Sequence, residues 1–189
     1  MASSQLEIIN GAALLIGETK LTGLTDQRLL AETGNLTYEA TLKKCLGNNP
    51  WRFAMKKVAL SQLVTGPINE WKYAYQLPGD LCRLERVYPD GLYDIYGDQV
   101  YSNSSSLDCD YVARNGAEDV MPPHFADLMM HEVAVKIVAI ITNSDTAAQK
   151  LEQWRILAYN RAVATDAQQR PNQAFRSNPF SDVRRRGTR

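Results

Sequence analysis

Cysteine and histidine are scarce in this sequence. Its three cysteines, Cys45, Cys82 and Cys109, are odd in number and far apart. That spacing excludes a readable disulfide framework or zinc ribbon and leaves reduced, buried thiols as the expectation. Only two histidines occur, His124 and His131, which leaves little for metal binding or general-base chemistry. Long hydrophobic runs are missing as well. The longest, residues 133–141, is interrupted by Lys136 and is too short to span a bilayer. Met1-Ala2-Ser3-Ser4 has no basic segment with an apolar run behind it, so no signal peptide is expected. These absences predict a soluble protein with no membrane partner. No Walker A loop, Gly-x-Gly-x-x-Gly turn or Gly-x-Ser-x-Gly elbow is present, so nucleotide-binding and hydrolase chemistry lack their usual frames.

Net charge is also missing, but only on average. Lys and Arg together number 21 and so do Asp and Glu. Residues 170–189 hold six Arg and a single Asp, a net of +5, so residues 1–169 carry −5. Such asymmetry marks an arm that meets an acidic surface or nucleic acid. The arm is polar, with lone aromatics Phe175 and Phe180, prolines at 171 and 179, and the run Arg184-Arg185-Arg186. It cannot build a core, but it can order itself on a partner, with arginines suited to bidentate carboxylate or phosphate contacts. The expected contact residues are Phe175, Arg176, Phe180, Arg184, Arg185 and Arg186.

What is present is a change of period along the chain. Leu6, Ile9, Ala13 and Ile16 recur at helical spacing, with Ser3 or Ser4 as cap and Gly17 as stop. A short helix capped by Thr25 is predicted over 26–32, broken near Gly34-Asn35. Another, capped by Thr37, is predicted to place Tyr38, Leu42 and Cys45 on one face until Asn49-Pro50. From Trp51 the period shortens. Ala54, Val58, Leu60 and Val64 fit a strand, as do Trp71-Tyr73-Tyr75 up to Pro78, and 81–88. Gly97-Asp98 between 92–96 and 99–101 signals a hairpin, and Leu107, Cys109, Tyr111 and Ala113 alternate with Asp108, Asp110 and Val112. Pro122-Pro123 opens a mostly apolar helix to about Thr142. A last helix over 145–168 is predicted to bury Leu151, Trp154, Leu157 or Ala158, and Ala162. The expected fold is α+β and mainly α: an antiparallel helical bundle built from residues 1–50 and 115–169, a small antiparallel sheet inserted over 51–114, and an extended arm over 170–189.

Three groups of residues could carry chemistry, and each reads more simply as structure. His124, Asp127 and His131 share one helix face and could offer metal ligands, but no second segment supplies a fourth, so they read as a polar stripe. Asp108 and Asp110 could form an acid pair, yet charges on an edge strand also block unwanted pairing. Trp71, Tyr73 and Tyr75 could stack bases, but without basic flanks they read as core or interface aromatics. Cys82 and Cys109 have no base nearby in sequence. No catalytic residue, metal or cofactor is expected.

Five segments in order resemble the head-to-tail adaptor proteins of short-tailed bacteriophages, the tail tubular protein A family. They are Leu14-Leu15-Ile16-Gly17-Glu18, Leu24-Thr25-Asp26, Pro50-Trp51-Arg52-Phe53-Ala54, Trp71-Lys72-Tyr73-Ala74-Tyr75-Gln76-Leu77-Pro78, and Ala162-Val163-Ala164-Thr165-Asp166-Ala167-Gln168. The resemblance implies a structural virion protein rather than an enzyme. It implies a homo-oligomeric ring, commonly of twelve subunits, between the portal protein and the tail nozzle protein, with genomic DNA passing through its channel. It also implies helical bundles in the ring wall and C-terminal arms on the portal. Assembly would take place in the host cytoplasm. A rival from the arm alone is a nucleic-acid-binding module.

Overall fold

The computed structural model describes residues 4–67, 70–114, 116–142 and 144–169. Among these residues, four helices, α1 (Gln5–Leu15), α2 (Leu29–Asn48), α3 (Pro123–Thr142) and α4 (Asp145–Gln168), enclose the first of two hydrophobic cores. The described residues also form seven strands: β1 (Met55–Ala59), β2 (Ser61–Gln62), β3 (Tyr73–Gln76), β4 (Leu81–Tyr88), β5 (Tyr93–Tyr96), β6 (Gln99–Ser102) and β7 (Asp108–Ala113). They make two antiparallel sheets, β1-β7-β4 and β2-β3-β6-β5. The α+β class holds, but the expected helical bundle with a small inserted sheet does not. The β region is a second layer pair with its own core, filled from both sheets by Leu60, Tyr75, Val87, Val100, Cys109 and Tyr111.

The physical reason lies in β7. The sequence pattern suggested a half-buried edge strand, yet β7 is the central strand of its sheet. Tyr111 and Ala113 enter the β core, while Val112 between them is fully buried in the helical core. A strand buried on both faces must lie between two layers, so one strand belongs to both halves of the molecule.

The helices follow local rules where local rules are strong. Ser4 caps α1: its Oγ accepts from the Glu7 N–H, and the Glu7 carboxylate accepts from the Ser4 N–H at 3.0 Å. At the other end Gly17 takes φ +82°, which lets the Glu18 N–H reach the Ala13 carbonyl at 2.9 Å and closes the helix in a Schellman turn. The break predicted at Gly34-Asn35 does not occur, and α2 runs unbroken through both residues. A Cβ at Gly34 would come within 2.9 Å of the Ile9 side chain, so glycine is what allows α1 and α2 to pack closely. Thr37, expected as a cap, instead turns its hydroxyl back onto the Thr33 carbonyl at 2.8 Å. Tertiary packing overrides the local break.

Trp51 anchors the passage from helix to sheet. It is fully buried, donates its indole N–H to the Cys45 carbonyl at 2.7 Å, and meets Phe125 edge-on at 4.9 Å. The second core is reached where the chain crosses from β1 to β2 at Leu60, whose N–H bonds the Leu107 carbonyl at 2.8 Å. Gly97 at φ +61° makes the expected hairpin between β5 and β6.

Candidate assembly surfaces

Among the sequence-predicted positions, the arm residues Phe175, Arg176, Phe180, Arg184, Arg185 and Arg186 lie outside the described residues. The aromatic set divides. Tyr75 is buried in the β core and donates its hydroxyl to the Ser104 carbonyl at 2.6 Å. Tyr73 lies at the core's margin. Trp71 precedes β3, half-buried, with its indole N–H on Asp94 at 3.0 Å. Tyr75 is therefore a packing residue of the single chain, and Trp71 and Tyr73 are the two that keep some exposed surface.

The candidate chemical groups do not converge. His131 Nδ1 lies 2.9 Å from the Asp127 carbonyl, one turn before it on α3, and no metal-binding cluster of His, Cys, Asp or Glu forms among the described residues. Asp110 meets Lys57 at 3.3 Å rather than forming an acid pair, while Asp108 is exposed. Burial, reinforced by the charge of Glu132, pushes the Cys45 thiol up to about 12. Burial, with the charges of Asp110 and Asp108, pushes Cys109 up to about 11. Burial raises Cys82 as well. Thiols held this way stay protonated near neutral pH and are poor nucleophiles.

Sequence reading missed a buried ionic contact among the described residues. Glu132 sits on α3 at 2% exposure. Its two oxygens are divided between Lys44 of α2 and Arg155 of α4, each at 3.0 Å. Arg155 also pairs with Glu152, and its guanidinium is held above its ordinary range, by Glu152 first and Glu132 next. One buried carboxylate thus fixes three helices. The available signal was an acid set directly against the apolar run that follows it in α3.

Trp154 corrects another expectation. The seam that α4 buries is Leu151, Ala158, Ala162 and Asp166, with Arg155 in line and paired to Glu132. Trp154 sits one residue off that seam and is 44% exposed. It borders a shallow groove of about 280 Å³ shared with Asp127, His131, Leu157 and Arg161. A larger polar cleft of about 520 Å³ lies where α2 meets β4, lined by Glu39, Lys43, Asp80, Cys82 and Arg114. Its charges are already engaged: Arg114 binds Glu39 and Glu118, Glu39 also meets Lys43, and Asp80 holds Lys56 and the Tyr111 hydroxyl.

A third cleft, of about 620 Å³, is lined by Lys57, Val58, Ala59, Tyr88, Asp108 and Asp110, and the described surface also carries exposed apolar side chains. Leu29 and Leu36 on α2, Trp154 and Leu157 on α4, and Tyr93, Ile95 and Tyr96 on the edge strand β5 are all exposed. No helix among the described residues is long and apolar enough to cross a membrane. No family model and no curated protein matches the chain.

Proposed function

We propose that this chain is the structural head-to-tail adaptor of a short-tailed bacteriophage. In this reading it forms a homo-oligomeric ring, twelve-fold by the resemblance, between portal and tail nozzle, with the genome passing through. It acts in the virion by contact, without catalysis, cofactor or metal.

The observation that carries this reading is how the resembling segments sit in the fold. Leu14–Glu18 is the Schellman end of α1, Pro50–Ala54 holds the buried Trp51, and Trp71–Pro78 runs through β3. Two of the segments touch: Asp166, buried near the end of α4, accepts from the Arg52 N–H at 3.1 Å. The exposed apolar faces on α2, α4 and β5 support the reading too, since a ring subunit needs non-identical patches matched head to tail. The acidic balance of residues 1–169 suits a channel that must let DNA pass, because many basic contacts would retain it. In this proposal the basic arm supplies the portal contact. Arg184, Arg185 and Arg186 steer the approach, and Phe175 and Phe180 anchor it.

The test is to mix the full chain with purified portal protein of a short-tailed phage and image the product. Rings seated on the portal support the proposal. Absence of portal binding, together with steeply salt-dependent binding of duplex DNA, would favour the nucleic-acid module instead.

A further inference from the structure

Two exposed helical stripes, one on α2 and one on α4, have complementary character. On α4, Lys150, Trp154, Leu157 and Arg161 follow one another at spacings of four, three and four residues, which places them in one line along the helix. Trp154 and Leu157 are 44% and 52% exposed. Lys150 and Arg161 have no ion-pair partner among the described residues, and the groove's carboxylate, Asp127, lies 3.8 Å from His131 Nδ1. On α2, Leu29, Glu32, Leu36 and Ala40 form the equivalent line, all exposed, with the two leucines at 51% and 74%. Glu32 has no ion-pair partner among the described residues either, while Lys43 at the end of this line is taken by Glu39 at 3.6 Å.

We infer that the α4 stripe of one subunit docks on the α2 stripe of the next copy of this chain. The inference rests on the ring reading above and supplies its subunit contact. Two arguments select a second copy, and this pairing rather than another. An apolar line flanked by free cations faces an apolar line that holds a free carboxylate, so contact buries leucine and tryptophan while bringing opposite charges together. An isologous α4–α4 contact would instead set Lys150 and Arg161 against their own copies. The two stripes are different surfaces on different helices, which is the condition for head-to-tail closure. Both helices are held on α3 through Lys44–Glu132–Arg155, so the angle between the stripes is fixed by a buried contact rather than by a loop.

The test uses full-length chains carrying Cys82→Ser, with either Leu36→Cys or Leu157→Cys, both at exposed positions. Mixed and oxidised, the two should give a cross-linked dimer, whereas each alone should give no cross-link. Glu32→Lys in the first chain should abolish the dimer, and Arg161→Glu in the second should restore it. Homodimers of either variant alone, or no cross-link in the mixture with portal present, would overturn the inference. Portal binding in the same samples separates the two ideas. Binding without the cross-link discards this contact and keeps the adaptor reading. The cross-link without portal binding keeps the contact and discards that reading.

Discussion

The helical half and the β half of this molecule share one strand and are stabilised differently. The helical core is large, contains the Trp51–Phe53–Phe125 aromatic group, and is fixed by a buried ionic contact at Glu132. The β core is smaller and rests on alternation across two sheets, with phenol hydroxyls closing its rim: Tyr75 on the Ser104 carbonyl and Tyr111 on Asp80. The difference teaches where rigidity is placed. The helices that carry the exposed stripes are tied together by charge, while the sheets present the exposed edge strand β5. Through Val112 and Tyr111, β7 couples the halves, so the described body should unfold in one transition.

The comparison can be broken first at the aromatic group. Phe125→Ala removes a fully buried ring and should cost about 3–5 kcal/mol, read by denaturant unfolding. If the β core survived this loss as a separate transition, the shared strand would not couple the halves. Arg155→Ala should cost about 2 kcal/mol, since Glu132 would keep only Lys44 in a buried setting. A neutral result there would mean the ionic contact does not fix the helices.

In the β half, Tyr75→Phe should cost about 1 kcal/mol by orphaning the Ser104 carbonyl. Alkali adds a sign. The Cys45 thiol is raised from 9.0 to about 12 and the Tyr111 phenol from 10.0 to about 12, the latter by burial and then Asp80. Between the unfolded and folded values the folded chain binds more protons, so stability present below about pH 9 should be lost as pH rises toward about 12. Unfolding midpoints over that range should fall, and Cys45→Ala should flatten part of the slope. The smallest expected effect is Trp154→Ala, which should change stability by less than about 1 kcal/mol because the side chain is half-exposed, while weakening self-association.

Much of the helical half was legible because period 3.6 and capping residues are local signals: Ser4, Gly17 and Pro123 mark real ends. The hairpin at Gly97 was legible for the same reason. What escaped was non-local. The unbroken path of α2 through Gly34 depends on Ile9 of another helix. The central place of β7 depends on two cores meeting. The seam of α4 depends on Arg155 occupying an in-line position that a purely apolar pattern assigns to Trp154. The assembly surfaces were readable only in part: the aromatic strand was visible, but Tyr75 is spent on the core, and the α2 and α4 stripes show only once the buried faces are known.

The most direct measurement is equilibrium binding of the full chain and of a chain ending at Gln169 to purified portal protein at two salt concentrations. The account predicts tight binding by the full chain that weakens with salt, near-complete loss on truncation, and identical unfolding curves for the described body. Portal affinity undiminished by truncation would contradict the role given to Phe175, Phe180 and the three consecutive arginines, and no binding by either chain would contradict the adaptor itself.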